Sequence, residues 1–394
     1  MTGIKVGGCG IRDQLWIAVD VGVRLMRGAL LLGALALLGC TGRGNITPDP
    51  EAPGIGREIP VLVGTTRART PDGLWSPNER GVLNYARIDV SIPPTHRAGI
   101  VELPDDTPDA TTDFVARRVE PLASASLFQD QVEQLLAARP DASGEVVVLV
   151  HGFNNAMGDS VFRAAQIVHD LRLSSIPVLY SWPSRGAPLA YAADRDAVMF
   201  ARDGLERMLD DVCEAGAGNV LLVAHSMGSL LTMEVLRQMA LRDNRGTLNC
   251  IGGVVLMSPD IDVEVFRSQA EAIGDLPEPF VIFTSQKDPA LGLSARISGQ
   301  PDRLGNLNTV AEIAGLDVTV VDLTEIDDAA SQHEVAVTSP TILGFLDDQT
   351  SLRESLLNER GGRVGVLPGT VLVAQEATTV LLSPIAAATG SPDW

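Results

Sequence analysis

The sequence is short of basic residues, of cysteine and of histidine, and each shortage argues against a class of protein. The 394 residues include 30 Lys and Arg against 50 Asp and Glu, which gives a formal net charge of −20. A surface of that sign repels polyphosphate, so the composition argues against nucleic acid as a partner. Solubility is the simplest reason for the acidity.

Cysteine and histidine are too few and too scattered to indicate a zinc site. The four cysteines form no CxxC pair and no Cys/His cluster with metal-ligand spacing. We therefore expect neither a metal nor any other cofactor. The histidines, a short list for any catalytic role, are His96, His151, His169, His225 and His333.

The apolar run at residues 28–39 is too short to cross a bilayer as a helix. It has 12 residues, whereas a transmembrane helix needs about 20. A basic residue precedes it, and Leu37–Cys40 resembles a bacterial lipobox, in which the cysteine is acylated. We expect residues 1–39 to be a signal peptide, with Met26 as the suspected true start, and Cys40 to carry a lipid anchor. A buried core helix is the alternative.

Composition divides the mature chain into three parts. Residues 40–58 are rich in Gly, Pro and charge, which predicts a flexible tether. Residues 59–348 have the patterns of a folded domain. Residues 349–394 are expected to be a loosely ordered tail with short apolar patches at Val371–Ala374 and Val380–Leu382. With its anchor, the protein is expected in the bacterial cell envelope, at the periplasmic side of an outer membrane where one exists.

From residue 127 onward, apolar strands alternate with amphipathic helices. Such a pattern predicts an α/β domain with a mostly parallel, doubly wound sheet, and ligands of such sheets bind at the carboxyl ends of the strands. Three earlier runs predict antiparallel edge strands at Ile59–Gly64, Ala86–Ile92 and Gly99–Leu103. The later predicted strands are Glu145–Val150, Ile176–Tyr180, Asn219–Ala224, Gly252–Met257, Phe280–Ser285 and Asp317–Leu323, and a closing helix is predicted at Val335–Asp347.

The segment Ala224–Gly228 reads AHSMG and joins a predicted strand to a predicted helix. This is the pattern of a nucleophile elbow, with Ala in place of the usual first Gly. The turn is sharp, so small residues must flank the serine where the strand and helix backbones approach. The placement favours Ser226 as a nucleophile over the alternative role of a helix N-cap.

A catalytic serine needs a histidine base and an acid that orients it, and in this kind of fold they follow the serine in the order acid, then histidine. His333 is the only histidine after Ser226 and is the predicted base. Asp288 follows the penultimate predicted strand and is the predicted acid. Asp260 and Asp262 follow the strand before it and are the alternatives, and their other role would be turn formation and helix capping.

The segment that follows Glu145–Val150 reads HGFNN and predicts an oxyanion hole. Its donors would be the backbone N–H groups of Phe153 and Met227. His151 is then expected to order this loop, and His169 and His225 are interpreted as structural. Candidate pocket residues, for some of which core packing is an equal alternative, are His151, Asn154, Trp182 and Tyr191.

Cys213 ends a predicted helix and Cys250 precedes the next strand. Both should lie near the amino-end edge of the sheet. An exported protein meets oxidising conditions, so the two can form a disulfide if their Cα atoms lie within roughly 7 Å. Two buried free cysteines are the alternative.

Several motifs along the chain form a specific combination. They read HGFNN, YSWPSRG followed by Tyr191 and Asp194, AHSMG, SPDID, and KDPALGLSARISG followed by RLG. Together they resemble a bacterial family of α/β hydrolases of unknown function, the esterase/lipase-superfamily proteins. The resemblance covers roughly residues 59–348. It implies the α/β-hydrolase fold and a triad of Ser226, Asp288 and His333, and it implies no substrate.

The sequence thus predicts a serine hydrolase, most simply a carboxylic-ester hydrolase acting through an acyl-enzyme on Ser226 without a cofactor. Its substrate would be a small-molecule or lipid ester, and its membrane contact would be the N-terminal anchor. An acyltransferase or amidase with the same residues is the alternative within enzymes. A non-catalytic envelope scaffold with a vestigial hydrolase fold is the other, and a complete triad in the right order argues against it.

Overall fold

A computed structural model of the protein describes twelve stretches of the chain. They are residues 46, 48–49, 54–104, 107–139, 144–299, 302–307, 310–327, 329, 331–340, 342–343, 370–373 and 381–384. Contacts divide the chain into residues 1–43 and 44–394, and every described residue belongs to the second unit. The expected signal peptide and Cys40 lie outside the described residues. Within them, no helix is long and apolar enough to cross a membrane.

The described chain forms eleven strands that join in one sheet. They are β1 (Arg57–Arg69), β2 (Trp75–Ile92), β3 (Val115–Leu122), β4 (Glu145–Val150), β5 (Ile176–Ser181), β6 (Asn219–His225), β7 (Ile251–Met257), β8 (Phe280–Thr284), β9 (Thr319–Asp322), β10 (Thr370–Val373) and β11 (Leu381–Pro384). Their order is β11-β10-β9-β8-β7-β6-β4-β5-β1-β2-β3. All neighbours from β10 to β1 are parallel, and β2, β3 and β11 add antiparallel edges.

Eight α-helices cover this sheet within the described residues. They are α1 (Ala125–Ala137), α2 (Met157–Asp170), α3 (Tyr191–Glu214), α4 (Met227–Leu241), α5 (Arg245–Cys250), α6 (Val263–Ile273), α7 (Pro289–Ser298) and α8 (Val335–Thr338). Short 3₁₀ turns lie at Pro188–Ala190, Leu304–Asn306 and Val310–Ile313. Helices α1, α3, α4 and α6 supply side chains to one core, and α2 and α8 supply the other.

The central strands are buried on both faces because their sequences are continuously apolar. In β4, Val146, Val148 and Val150 belong to one core, and Val147 and Leu149 belong to the other. Successive side chains of a strand point to opposite faces, so one apolar strand supplies both cores. The predicted α/β-hydrolase architecture, a doubly wound and mostly parallel sheet with antiparallel N-terminal edge strands, is confirmed.

The strand predicted at Gly99–Leu103 is wrong. That segment is a turn followed by irregular chain, and the third strand is β3. Among the described strands, β3 lies at the edge and pairs with β2 alone. An edge strand tolerates the arginines and the Pro121 that hide its pattern. The first predicted edge strand also lies inside the sheet, because β1 runs parallel to β5 on its second side.

The two ends of the domain differ from their predictions in smaller ways. The closing helix predicted at Val335–Asp347 is interrupted, because α8 ends at Thr338 and Ser339 is extended. Ser339 precedes Pro340, and a residue before proline disfavours the helical conformation. Beyond it, β10 and β11 come from the apolar patches of the expected tail and extend the sheet past β9. The remainder of residues 349–394 lies outside the described part.

A disulfide joins Cys213 at the end of α3 to Cys250 at the end of α5. Their Cα atoms are 6.2 Å apart, within the range that the bond requires. Of the two alternatives that the sequence left open, the structure has the bonded pair. The bond ties α3 to the start of β7 at the amino-end edge of the sheet.

Candidate active site

Ser226 occupies a strained turn between β6 and α4. Its φ is 51° and its ψ is −121°, a region that non-glycine residues rarely adopt and that costs about 1–3 kcal/mol. The surrounding backbone holds it there, because the Ser226 amide donates to the Met257 carbonyl at 2.9 Å and the Asp260 amide donates to the Ser226 carbonyl at 3.2 Å. This is the geometry of a nucleophile elbow.

Close backbone approach explains the small residues around this turn. A Cβ on Gly228 would lie 2.4 Å from the His151 carbonyl oxygen, and one on Gly152 would lie 2.9 Å from the Cβ of Ser226. Helix α4 and the loop after β4 therefore both touch the elbow. The first flanking position carries Ala224, which is fully buried, so that side of the turn has room for a methyl group.

His333 and Asp288 form a direct hydrogen bond, Nδ1 to Oδ2, of 2.6 Å. The other oxygen of Asp288 accepts the amides of Ala290 and Leu291 at the start of α7. One buried carboxylate thus caps a helix and holds the imidazole. Because Asp288 occupies Nδ1, the nitrogen of His333 left for proton transfer is Nε2.

The electrostatic environment makes His333 a stronger base than an ordinary histidine. Burial opposes the imidazolium, but the hydrogen bond and charge of Asp288, together with the charges of Glu334 and Asp260, outweigh it and raise the pKa of His333. The raised pKa follows from the carboxylates that surround the ring. A raised pKa favours proton uptake by the neutral ring.

His225, the residue before Ser226, has the opposite environment. Burial and the charge of His333 lower its pKa to about 4, so His225 is neutral at physiological pH. Its Nε2 donates to the backbone carbonyl of His333 at 2.9 Å, and the two ring centroids are 4.6 Å apart. His225 therefore links the elbow to the loop that carries His333.

His151 is the first residue of the loop predicted as the oxyanion hole. Burial and the charge of Arg67 lower its pKa to about 3, so it is neutral. Its ring stacks on Trp182 at 5.0 Å, its Nδ1 donates to the Gly152 carbonyl at 2.9 Å, and Trp182 Nε1 donates to the His151 carbonyl at 2.7 Å. These contacts order the loop. Trp182 is fully buried, which is the core packing that the sequence left open.

The two predicted oxyanion donors belong to the loop after β4 and to the first turn of α4. Phe153 follows Gly152, whose Cα faces the Cβ of Ser226. Met227 is the first residue of α4, and the first amides of a helix have no acceptor within it. Asn154 has φ 59°, and its backbone hydrogen-bonds the Asp194 carboxylate, which fixes the end of this loop.

Arg67 is a buried cation that sequence reasoning did not single out. Near the carboxyl end of β1, its guanidinium donates to the carbonyls of Ser184 at 2.9 Å and Asn155 at 3.2 Å. It thereby joins the loops after β4 and β5. Burial lowers the pKa of Arg67 to about 10, although the charges of Asp194 and Asp159 act to raise it. Arg67 therefore stays charged at physiological pH. The sequence signal that could have identified Arg67 is a charged residue near the end of an apolar strand.

Glu334 is the second residue that the sequence did not indicate. It neighbours His333 and pairs with Arg163 of α2 at 3.4 Å. Burial acts against its ionisation, but the charge of Arg163 outweighs it and lowers the pKa of Glu334. Its carboxylate adds to the field that favours protonation of His333. Nothing in the local sequence marks this role.

Asp260, the alternative acid, belongs to a separate network. Its Oδ2 accepts from the Tyr191 hydroxyl at 2.8 Å, its Oδ1 accepts from Ser294 at 2.5 Å, and Arg303 Nε lies 3.3 Å from Oδ1. The other alternative, Asp262, caps α6 by accepting backbone amides. Asp288 is thus the carboxylate of these three that hydrogen-bonds His333.

Tyr191 is one of the residues that line an open groove of about 920 Å³. Tyr191 also meets the ring of Phe153 edge-on at 5.5 Å, which places this lining residue beside the loop after β4. Of the four candidate pocket residues, Tyr191 lines this groove and the other three do not. Its charged lining residues are Arg195, Arg237, Arg303, Glu234, Asp262 and Glu264.

The mostly parallel sheet, with a strained serine turn at the carboxyl end of β6, defines an α/β hydrolase. A family model described as an alpha/beta hydrolase of unknown function (DUF900) matches residues 125–351, more than half of the chain, and the chain belongs to that family. The matched stretch includes Ser226, Asp288 and His333. The predicted family is confirmed. No match among curated proteins was found.

Proposed function

We propose that the protein is a serine hydrolase that cleaves carboxylic esters through an acyl-enzyme on Ser226. The observation that carries the proposal is a histidine held at Nδ1 by a buried carboxylate at 2.6 Å, in a loop that His225 joins to the strained Ser226 turn. The order Ser226, Asp288, His333 along the chain is the order found in α/β hydrolases. The family membership supports hydrolysis in general.

In the acylation step, His333 Nε2 takes the hydroxyl proton of Ser226 while the serine oxygen attacks the ester carbonyl carbon. The carbonyl oxygen gains negative charge, and the N–H groups of Phe153 and Met227 stabilise it. The tetrahedral intermediate then expels the alcohol oxygen, which takes the proton from His333. The serine is left esterified with the acyl group.

Deacylation repeats the sequence with water as the nucleophile. His333 removes a proton from water, the hydroxide adds to the acyl carbonyl, and collapse of the intermediate returns the proton to the Ser226 oxygen. Asp288 stabilises the imidazolium in both steps and keeps Nε2 facing the reacting groups. The products are a carboxylic acid and an alcohol.

The groove that Tyr191 lines is proposed to hold part of the substrate, because Tyr191 touches Phe153; Ser226, Asp288 and His333 do not line it. Val265 and Ile297 line it and are 43% and 54% exposed, beside the charged residues of its walls. Exposed apolar side chains at the edge of a pocket favour contact with an apolar ligand group. A panel of p-nitrophenyl esters of graded chain length measures which acyl length the site prefers.

A fluorophosphonate probe tests the nucleophile directly. We expect the native protein to be labelled, and peptide mapping to place the label on Ser226, because only an activated serine reacts at a useful rate. The matched control is Ser229→Ala, which removes a neighbouring buried hydroxyl of α4 and should leave labelling intact. An unlabelled native protein, or a label on another serine, would contradict the proposal.

The same protein is proposed to be held at a membrane by lipid on Cys40. The lipobox-like Leu37–Cys40 supports export and acylation, and the disulfide between Cys213 and Cys250 supports an oxidising compartment. The tether at residues 40–58 would then separate the hydrolase domain from the bilayer.

We expect intact-mass analysis of the membrane-extracted protein to give an N-terminus at Cys40 carrying lipid. The Cys40→Ser variant should lack the lipid and leave the membrane fraction. Because the cysteine thiol is the acceptor, no other substitution in the tether should do so. An unmodified N-terminus upstream of residue 40 would show that the segment is not a lipoprotein signal.

A further inference from the structure

A cluster of metal-ligand side chains lies apart from the proposed triad. His96 comes from the loop between β2 and β3, and His169 and Asp170 are the last residues of α2. One potential ligand atom of each lies within 4.8 Å of the other two. Nitrogen and carboxylate ligands of this kind suit Zn²⁺.

The surroundings hold a ligand atom of His96 against a ligand atom of Asp170. His96 Nδ1 is bound to the Glu102 carboxylate at 2.9 Å, which leaves Nε2 facing Asp170 Oδ1 at 2.7 Å. The other oxygen of Asp170 accepts from the Gly99 amide at 2.7 Å and from Gln166 at 2.6 Å. A histidine whose second nitrogen is held by a carboxylate is the usual arrangement around a bound metal.

His169 supplies the second observation. Its Nδ1 is buried and has no hydrogen-bond partner among the described residues. A buried ring nitrogen without a partner is costly and needs an explanation. Its ring meets the His96 ring edge-on at 5.3 Å. The side chains of His96 and Asp170 are only 6% and 3% exposed, so the cluster is built into the fold.

The geometry points to a Zn²⁺ site formed by His96, His169 and Asp170, with a water molecule as the fourth ligand. Bonds of about 2.0–2.2 Å place tetrahedral ligand atoms roughly 3.5 Å apart. His96 Nε2 and Asp170 Oδ1, now 2.7 Å apart, must therefore move apart to admit the ion, and the His169 ligand atom lies within 4.8 Å of both. The metal takes the place of the proton between His96 and Asp170, and binding releases that proton. The C-terminal end of α2 also favours a cation.

Such a site would fasten the chain around His96 to the end of α2. The ion would stabilise the folded protein, because it binds ligands that unfolding separates. The proposal is independent of the hydrolase proposal, since none of its residues belongs to the triad.

Calorimetric titration of the chelator-stripped, full-length protein with ZnCl₂ tests the site. We expect saturable, stoichiometric binding, a higher melting temperature, and loss of both in His169→Gln. That variant should fold normally without metal. The buried His169 Nδ1 has no hydrogen bond to lose among the described residues, and the hydrogen bonds of His96 to Glu102 and to Asp170 remain. Glu102→Gln should weaken Zn²⁺ binding by about 10- to 100-fold.

Two controls separate this site from other metal binding. CaCl₂ should not raise the melting temperature, since nitrogen ligands disfavour a hard cation. Fluorophosphonate labelling of Ser226 should be equal with and without Zn²⁺, whereas an ion held by His333 would suppress it. A native protein that binds no Zn²⁺, or a His169→Gln variant that binds as tightly as the native protein, would overturn the proposal.

Discussion

Replacing His333 with alanine is expected to lower kcat/KM for an ester substrate by about 10⁴-fold or more, with the protein still folded. His333 is proposed to take the Ser226 proton, and no other group would do so in its absence. The measurement is initial-rate kinetics on p-nitrophenyl esters, with circular dichroism to establish that the variant is folded.

The matched control is His225→Gln, because His225 is the other histidine beside the elbow. Its ring lies 4.6 Å from the His333 ring, yet its Nε2 is engaged with the His333 carbonyl. Glutamine also carries an N–H donor, so the contact between elbow and loop can persist. We expect a loss no larger than about 10²-fold, the size of a positioning effect.

The pH dependence of kcat/KM distinguishes the two histidines without mutation. A base acts only when neutral, so the rate falls as the pH drops below its pKa. For His333 that fall lies above the ordinary histidine value of about 6.5, because its carboxylate neighbours raise the pKa. For His225 it would lie near pH 4. An acid limb near pH 4, or a larger loss in His225→Gln than in His333→Ala, would assign the base to His225.

The core of the fold could be predicted because its signals are local and strong. Continuous apolar strands are readable in the sequence, and the predicted Glu145–Val150 coincides with β4. The strand prediction at Gly99–Leu103 was wrong because a short apolar segment can form either a strand or a loop. The true third strand is an edge, where charged residues and Pro121 are tolerated and the alternation is weak.

The sequence could suggest which residues form the triad, because their order along the chain is known for this fold. It could not suggest the hydrogen-bond networks around them. His333 followed from a shortage of histidines, and Asp288 followed from the position of its strand. The contacts of Arg67 with the loops after β4 and β5 depend on the sheet order, which places β1 beside β5. His96 and Asp170 are 74 residues apart, so no metal spacing could show in the sequence.

Asp288→Asn is expected to lower kcat by about 10⁴-fold with little change in stability. Asparagine caps a helix as well as aspartate does, so the start of α7 should remain intact. The new amide group, however, would donate to His333 Nδ1 where the carboxylate accepted from it. That places the proton of the neutral ring on Nε2, where it cannot accept the Ser226 proton, and the stabilising charge is lost as well.

Asp260→Asn is the matched control and should behave in the opposite way. Asp260 lies in a buried network with Tyr191, Ser294 and Arg303. Loss of its charge leaves the buried Arg303 without its ion-pair partner, so the free energy of unfolding should fall by about 3 kcal/mol. Urea denaturation measures the stability of both variants, and kcat is measured at a temperature where both are folded. The Asp260 variant should then keep most of its turnover, because its carboxylate does not contact His333. If instead Asp260→Asn abolishes turnover in folded protein and Asp288→Asn retains it, the acid of the triad is Asp260 and follows β7.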